Sequence, residues 1–216
     1  TLMDMVSYEE RHNHANGEEN RDGHHDNFSW NNGIEGATDD AEVIERRRRD
    51  VMALLSTLFA SRGTIMLGMG DEAGRSQGGN NNAYCQDNVI TWLDWAELDE
   101  GLVEHTARLA RLRRRFSAFS ETRFFAETGD DIGWFNSFGE AMTQDDWGNP
   151  EASVLTVALK TLDHDTGRTA CIAAIFNRSQ TDQAVTLPDG SWRRIDDDIP
   201  WRGEAAARSV TFCIAD

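Results

Sequence analysis

Cysteine and basic residues are scarce in this chain. Its 216 residues include three cysteines, widely spaced and without a close pair. That spacing does not fit a disulfide framework or a zinc site and favours reduced thiols in a cytoplasmic protein. Only 21 lysines and arginines stand against 38 aspartates and glutamates, which gives a net charge of -17. Such a chain would be repelled by a polyanionic backbone, so nucleic acid is excluded as an expected partner.

Long apolar runs and a leader segment are missing as well. No stretch approaches the roughly 20 apolar residues that a membrane-spanning helix needs, so we expect no membrane association. The chain begins at Thr1 rather than Met, with no cationic and apolar leader. We therefore expect a fragment without a secretory signal. Hydrophobic residues still make up 39% of the sequence, enough to supply a core for one large domain or two small ones.

Polar side chains are concentrated in one loop, residues 70–88, which follows the apolar run 64–69. The run predicts a short buried strand whose carboxyl end delivers acids into the loop. In α/β architectures, sites are built at such strand ends. The loop combines amides, carboxylates, a guanidinium and an aromatic ring, which suit the hydroxyl groups and apolar faces of a sugar. Carbohydrate is therefore the predicted ligand class.

Motifs in and around this loop carry a family resemblance. Gly70-Asp71-Glu72, the run 79–88 and Thr91-Trp-Leu-Asp-Trp95 resemble the late barrel segment of bacterial glycogen debranching enzymes of the isoamylase type, in the α-amylase superfamily. Other segments resemble the region before the penultimate barrel helix (6–8, 12–13, 16–18, 20–23 and 27–31) and the entry to the C-terminal β-domain (131–135, 139–143 and 145–147). The resemblance is continuous from the first residue to about Trp147.

The resemblance implies a glycoside hydrolase that cleaves α-1,6 branch linkages in glycogen or limit dextrin. Its partners would be a branched α-glucan and the missing N-terminal part of the same enzyme, with no cofactor. The family's three catalytic carboxylates would precede Thr1, so the chain alone is expected to be inactive. A retaining mechanism needs two carboxyl groups about 5 Å apart, and these roles are not reassigned to Asp71 and Glu72. The alternative is a noncatalytic α-glucan-binding or interaction module that binds through its β-domain.

Ten residues are expected to contact substrate: Asn20, Asp22, Asp71, Glu72, Arg75, Gln77, Asn81, Asn82, Tyr84 and Asp87. For Asp71 and Glu72, anchoring of neighbouring loops through backbone amides and arginine is an equal alternative, with Arg75 as the local partner. The asparagines at 80–82 must include a turn former. Tyr84 and Trp95 could stack against pyranose rings, although core packing is the more frequent role of such aromatics.

Other polar and aromatic features have mainly structural interpretations. Cys85 is expected to be a small packed residue. A metal at His24-His25-Asp26 is disfavoured because adjacent histidines point in different directions. The arginines at 46–49 are predicted to be a solvated helix face paired with acids three or four residues away: Glu42, Glu45 and Asp50. A sandwich core explains most of the tail tryptophans, which could otherwise form a sugar-binding surface: Trp134, Trp147, Trp192 and Trp201.

The sequence pattern predicts an α+β composite. Residues 1–37 read as a long ordered loop; a helix capped by Asp39 then ends at Gly63, and a second helix covers about 98–116. Helix, strand, loop and helix form the terminal strand-helix units of a (β/α)8 TIM barrel, assigned to residues 1–118 with the site loop on its C-terminal face. Residues 119–216 are assigned to an antiparallel β-sandwich, with strands near 153–160, 169–176, 183–187, 192–195 and 208–214. The boundary falls near residues 117–123.

Overall fold

The computed structural model describes residues 1–122, 124–125 and 131–215. Part of the predicted boundary at 117–123 therefore lies outside the described residues. The chain divides into two compact units, one formed by Thr1–Leu55 and Met66–Ala107, the other by Ser56–Ile65 and Arg108–Asp216. None of the helices in the described part of the chain is long and apolar enough to cross a membrane.

The first unit begins with a long loop that is mostly irregular, as predicted. Its regular elements are helix α1, Leu2–Met5, and a 3₁₀ turn at His14–Asn16. The loop is ordered by a buried arginine, because Arg47 is only 5% exposed and its guanidinium donates to main-chain carbonyls of the loop. The prediction of a wholly solvated arginine face is therefore wrong at Arg47. Arg49 does pair with Glu45, as expected.

Two long helices follow the predicted periodicity. Helix α2 spans Ala41–Ala60 and α3 spans Glu100–Arg115. The buried apolar side chains recur at helical spacing, which explains why these segments are helical: Val43, Val51, Leu55 and Phe59 in α2, and Leu102, Leu109 and Leu112 in α3.

The ends of α2 differ from the prediction. Asp40 rather than Asp39 caps the helix, since its Oδ1 accepts the main-chain N–H groups of Glu42 and Val43. The helix ends at Ala60, three residues before the Gly63 stop expected from the sequence.

The predicted buried strand at residues 64–69 is not formed. No strand is assigned there, and Met66 and Met69 are 88% and 68% exposed. Strand geometry is stabilised by ladder hydrogen bonds to a neighbouring strand. Within the described residues, every ladder between strands lies beyond residue 130. An apolar composition alone therefore did not produce a strand.

The second unit contains the predicted antiparallel strands. A five-stranded sheet has the order β1-β2-β3-β7-β5, and a two-stranded ladder pairs β4 with β6. The strands are β1 Ile132–Phe135, β2 Val154–Asp163, β3 Arg168–Asn177, β4 Gln183–Ala184, β5 Trp192–Arg194, β6 Glu204–Ala205 and β7 Ser209–Ala215. A short helix α4, Gln144–Gly148, stands between β1 and β2. Strand β4 is shorter than predicted, and β1 and β6 were not among the predicted strands.

One core cluster of the second unit joins residues of the sheet to residues in and beside the two-stranded ladder. Ile175 of β3, Cys213 of β7, Val185 and Ala205 are almost fully buried in one cluster. Trp192 belongs to the same cluster and Trp201 packs against it, as the core interpretation of these tryptophans predicts. Burial removes the Cys213 thiol from water and raises its pKa to about 12.

Candidate functional site

A polar hollow of about 210 Å³ lies in the first unit. Its wall includes two aromatic residues, Tyr8 and Phe28, and four polar residues: Asp4, Gln77, Asn80 and Asn81. Phe28 is 86% exposed and lies near His24, with ring centroids 6.2 Å apart. The hollow thus combines apolar ring surface with hydrogen-bonding groups, which is the combination predicted for a sugar site.

Asn13 connects the long loop to the amide-rich loop. It is fully buried, and its Nδ2 donates to Asn81 Oδ1 at 2.8 Å while its Oδ1 accepts from the Asn81 main-chain N–H at 3.0 Å. The same Nδ2 donates to the main-chain oxygen of Asp22. Asn20 Oδ1 accepts the Asn13 main-chain N–H at 2.7 Å. These reciprocal amide bonds fix the position of Asn81 at the edge of the hollow.

Asp22 is held by a second set of amides. Its Oδ2 accepts from Asn16 Nδ2 at 2.7 Å and from Asn82 Nδ2 at 2.9 Å. The hydrogen bonds from Asn16 and Asn82 lower the pKa of Asp22, because they stabilise the charged form. Asp22 is therefore an ionised carboxylate that organises asparagine side chains.

Glu35 is a second ionised carboxylate that holds its neighbours through hydrogen bonds, in this case within the long loop. Partial burial raises its pKa, but hydrogen bonds from the Glu9 main chain, His12 and the Glu10 main chain outweigh this effect and lower the pKa to about 2. The His12 Nε2 atom lies 2.8 Å from Glu35 Oε1.

Two of the predicted acids, Asp71 and Glu72, hold main-chain N–H groups, which is the anchoring role considered for them. Asp71 Oδ1 accepts the Leu2 main-chain N–H, and Glu72 Oε2 accepts that of Gly70, both at 2.9 Å. Arg75 is not their partner, which corrects the predicted local pairing. It donates instead to Thr91 O at 2.9 Å and to Gln77 Oε1 at 3.1 Å. Gly70 has a φ of +89°, and the turn that it forms presents its N–H to the acid two residues later.

The aromatic and sulfur-containing residues after Asn82 are exposed. Tyr84 and Trp95 are 82% and 78% exposed, so the core packing favoured for them is wrong. Cys85 is exposed too, which contradicts its expected packed position. Asp87 accepts the indole N–H of Trp92 at 3.0 Å.

The ten predicted residues therefore fall into separate groups. One amide network joins Asn20, Asp22, Asn81 and Asn82 through Asn13 and Asn16, while Gln77 and Asn81 contribute to the wall of the hollow. The remaining members anchor loops or stand exposed after Asn82: Asp71, Glu72, Arg75, Tyr84 and Asp87.

Sequence reasoning missed Asp4, Asn13 and Asn16 as parts of the site. Asp4 accepts from Ser76 and from the Gln77 main-chain N–H. An asparagine-rich composition was the available signal, but it does not identify partners more than 60 residues away. Within the described residues, no group of His, Cys, Asp and Glu could hold a metal ion.

Comparisons with known proteins place this geometry in a fold class. No family model matches the chain. The structure is similar to a pullulanase from Anoxybacillus sp. LM18-11, solved with maltotetraose: the TM-score is 0.61 at 20% identity, over 82% of this chain and 24% of that protein. At this identity the match establishes only a fold shared with part of that pullulanase.

Sequence relatives then give the family. The chain is 44% identical over 204 residues to a glycogen debranching enzyme of Enterobacter sp. strain 638, covering 94% of this chain and 29% of that enzyme. It is 52% identical over 147 residues to the glycogen debranching enzyme of Erwinia tasmaniensis, covering 68% of this chain and 22% of that enzyme. Over nearly its whole length the chain is homologous to part of the glycogen debranching enzymes, which confirms the family predicted from its sequence. It spans less than a third of the length of these relatives.

Proposed function

We propose that this chain is the C-terminal part of a glycoside hydrolase that cleaves α-1,6 branch linkages in glycogen or limit dextrin. The observation that carries the proposal is the 44% identity, over 94% of the chain, to a glycogen debranching enzyme. The role of the chain is to bind the glucan near a branch. The carboxyl groups that break the bond belong to the remaining part of the enzyme.

The hollow in the first unit supports a binding role. Sugar hydroxyls both donate and accept hydrogen bonds, so they match an amide side chain such as that of Gln77. The Nδ2 group of Asn81 already donates to His24 O and Asn27 Oδ1, so Asn81 would act towards a sugar as an acceptor. The rings of Tyr8 and Phe28 offer apolar surface to the C–H groups of a pyranose. Because Asn81 is held in place by Asn13, little conformational entropy remains to be lost when a ligand binds.

The pKa values of Asp22 and Glu35 do not favour a catalytic role for these acids. A glycosidase needs one carboxylic acid that remains protonated near neutral pH, and burial or a neighbouring negative charge supplies the necessary upward pKa shift. Asp22 and Glu35 have the opposite shift. They are suited to holding loops in place rather than to donating a proton to a leaving group.

The finer architecture is part of the same proposal. Residues 1–118 belong to the end of a (β/α)8 barrel and residues 119–216 to a β-sandwich domain. In the complete enzyme, residues 64–69 pair with neighbouring barrel strands, which would bury Met66 and Met69. Three free thiols in the described residues are consistent with a cytoplasmic location.

A chimeric enzyme tests the proposal. The chain replaces the matching segment of the Enterobacter enzyme, and release of reducing ends from limit dextrin is measured. We expect the chimera to be active and the chain alone to be inactive. Failure of the folded chimera to cleave branches would contradict the proposal, and so would branch hydrolysis by the chain alone.

A matched pair of phenylalanine variants in the chimera tests the hollow. Phe28→Ala removes an exposed ring from its wall and should raise KM about fivefold, since a ring contact contributes about 1 kcal/mol. Phe138→Ala removes a ring of similar exposure, 73%, from the second unit and should leave KM unchanged. Equal KM values for both variants would show that the hollow does not contribute to substrate binding.

The alternative is a noncatalytic α-glucan-binding module that uses the second unit. Trp134 and Trp147 favour it, because they are 41% and 55% exposed and pack edge to face with ring centroids 5.6 Å apart. Calorimetry with maltooligosaccharides on the chain and its Trp147→Ala variant distinguishes the two. Binding that is lost in Trp147→Ala supports the alternative, and binding that persists supports the first unit.

A further inference from the structure

The segment 84–98 of the first unit exposes three large aromatic side chains. Tyr84, Trp92 and Trp95 are 82%, 59% and 78% exposed. Exposed apolar rings are unfavourable in water, and exposed apolar surface of this kind commonly marks a binding site. The proposed function so far uses the hollow and leaves Trp92 and Trp95 without a role.

Polar side chains hold the part of this segment that carries Trp92. Asn88 Nδ2 donates to Gln86 Oε1 at 2.7 Å, and Asn88 Oδ1 accepts the Ile90 main-chain N–H at 2.9 Å. The Thr91 hydroxyl donates to Gln86 O at 2.8 Å, and Arg75 donates to Thr91 O. The backbone that carries Trp92 is therefore fixed before any ligand arrives.

Trp92 is paired with a carboxylate. Its indole N–H donates to Asp87 Oδ1 at 3.0 Å, which satisfies the polar edge of the ring and holds it beside the acid. The remaining acceptor positions of Asp87 are available for sugar hydroxyl donors, and the indole face suits the apolar C–H face of a pyranose. The pair thus supplies both kinds of contact that a glucose unit requires.

The charge of the segment favours a neutral polyol over a protein surface. Residues 84–98 contain three acids, Asp87, Asp94 and Glu97, and no lysine or arginine. A dry protein interface would desolvate these carboxylates, which is costly unless a cation pairs with each of them. A glucan donates hydroxyl hydrogen bonds to carboxylates and leaves much of the segment in water.

The same segment is joined to the network around the hollow. Asn16 Oδ1 accepts from Asn80 Nδ2 at 2.9 Å and from Gln86 Nε2 at 2.8 Å. Asn80 lines the hollow, and Gln86 belongs to the turn that carries Trp92. The same network of amide hydrogen bonds therefore positions both the hollow and the turn that carries Trp92.

We propose that Trp92 and Asp87 form a second α-glucan contact site, with Trp92 as the stacking platform and Asp87 as the hydroxyl acceptor. The inference deepens the proposed function and rests on it.

Calorimetry of the whole chain with maltoheptaose tests the site. Trp92→Ala should weaken binding about tenfold, Trp92→Phe should retain most of the affinity, and Asp87→Asn should give an intermediate loss. Phe138→Ala, which removes an exposed ring from the second unit, is the control and should bind as the unaltered chain does. Thermal unfolding of each variant checks that the fold is retained.

Three outcomes would overturn the inference. The first is an affinity of Trp92→Ala equal to that of the unaltered chain, or a complete absence of maltoheptaose binding. The second is an equal loss in Phe138→Ala. The third is a Trp92→Ala chimera that is less stable to heat but binds maltoheptaose normally, because Trp92 would then serve a protein interface. A chimera that cleaves branches while Trp92 proves dispensable rejects this site alone, whereas an inactive folded chimera rejects the proposed function.

Discussion

Replacing Arg47 by leucine tests whether one buried cation orders the long N-terminal loop. The guanidinium donates to Gly36 O at 2.6 Å, to Asn31 O at 2.9 Å, to Ile34 O, and more weakly to Ser7 O at 3.4 Å. Burial lowers the pKa of Arg47, because water no longer fully solvates the charge. Leucine fills much of the volume but leaves these carbonyl oxygens without their donor.

The expected effect is large for a single side chain. A hydrogen bond from a charged donor contributes about 1.5–3 kcal/mol, and the two shortest bonds with regular geometry together would give roughly 3–6 kcal/mol on that scale. Desolvation of the guanidinium offsets part of this gain. A net loss of about 3 kcal/mol remains, which corresponds to roughly a hundredfold increase in opening of the loop.

Hydrogen exchange of the loop amides measures that opening. The Gly36 and Trp30 main-chain N–H groups are hydrogen-bonded within the loop and should exchange about a hundredfold faster in Arg47→Leu. Arg49→Leu is the control on the same helix, because its exposed pair with Glu45 is worth only about 0.3–0.5 kcal/mol. Unchanged protection in Arg47→Leu, or equal loss in both variants, would refute the reasoning.

Three further results are expected. The pKa of Glu35 is depressed from 4.5 to about 2 in the folded chain, so its stabilising contribution is complete above about pH 4.5 and is lost as pH falls towards 2; thermal unfolding of Glu35→Gln against pH should lack this part of the decline. Asp163 is 2% exposed and accepts from Arg115 at 3.0 and 2.9 Å, so Asp163→Ala should lower the free energy of unfolding of the second unit by about 2–3 kcal/mol in urea; a loss below about 0.5 kcal/mol would mean that the pair is replaced by water. Limited proteolysis should cut first within residues 1–37 and spare the region after about 120, and the reverse order would contradict the proposed domain division.

Much of the secondary structure could be predicted, because local periodicity reports burial directly. Apolar residues three and four positions apart marked α2 and α3, and β2 and β3 were recognisable from short apolar runs between turn residues. The hairpin between them was also predictable, since Asp163 pairs with Arg168 across a turn that places Gly167 at a φ of +68°. In each case the deciding interaction lies within a few residues.

The run 64–69 shows where local pattern is insufficient. Its composition is that of a buried strand, but a strand also needs hydrogen-bonding neighbours, and none is assigned to it in the described part of the chain. Arg47 makes the same point for a helix face. Helical spacing predicts the three neighbouring arginines to be surface charges. The burial of Arg47, in contrast, depends on main-chain carbonyl groups of the loop that lie 11 to 40 residues away.

The candidate site was predictable in its chemistry but not in its connections. An amide-rich loop after an apolar run indicated a sugar ligand, yet the residues that hold Asn81 in position are Asn13, 68 residues earlier, and Asn27, 54 residues earlier. Amide side chains can donate and accept in many combinations, so composition cannot select among them. Arg75 illustrates the consequence: proximity in sequence favoured Asp71 and Glu72 as its partners, but the turn at Gly70 gives Glu72 a main-chain donor, and the cation is left to bind Gln77 and Thr91. Predicting such a site therefore requires the path of the backbone, because main-chain N–H and C=O groups compete with side chains for each partner.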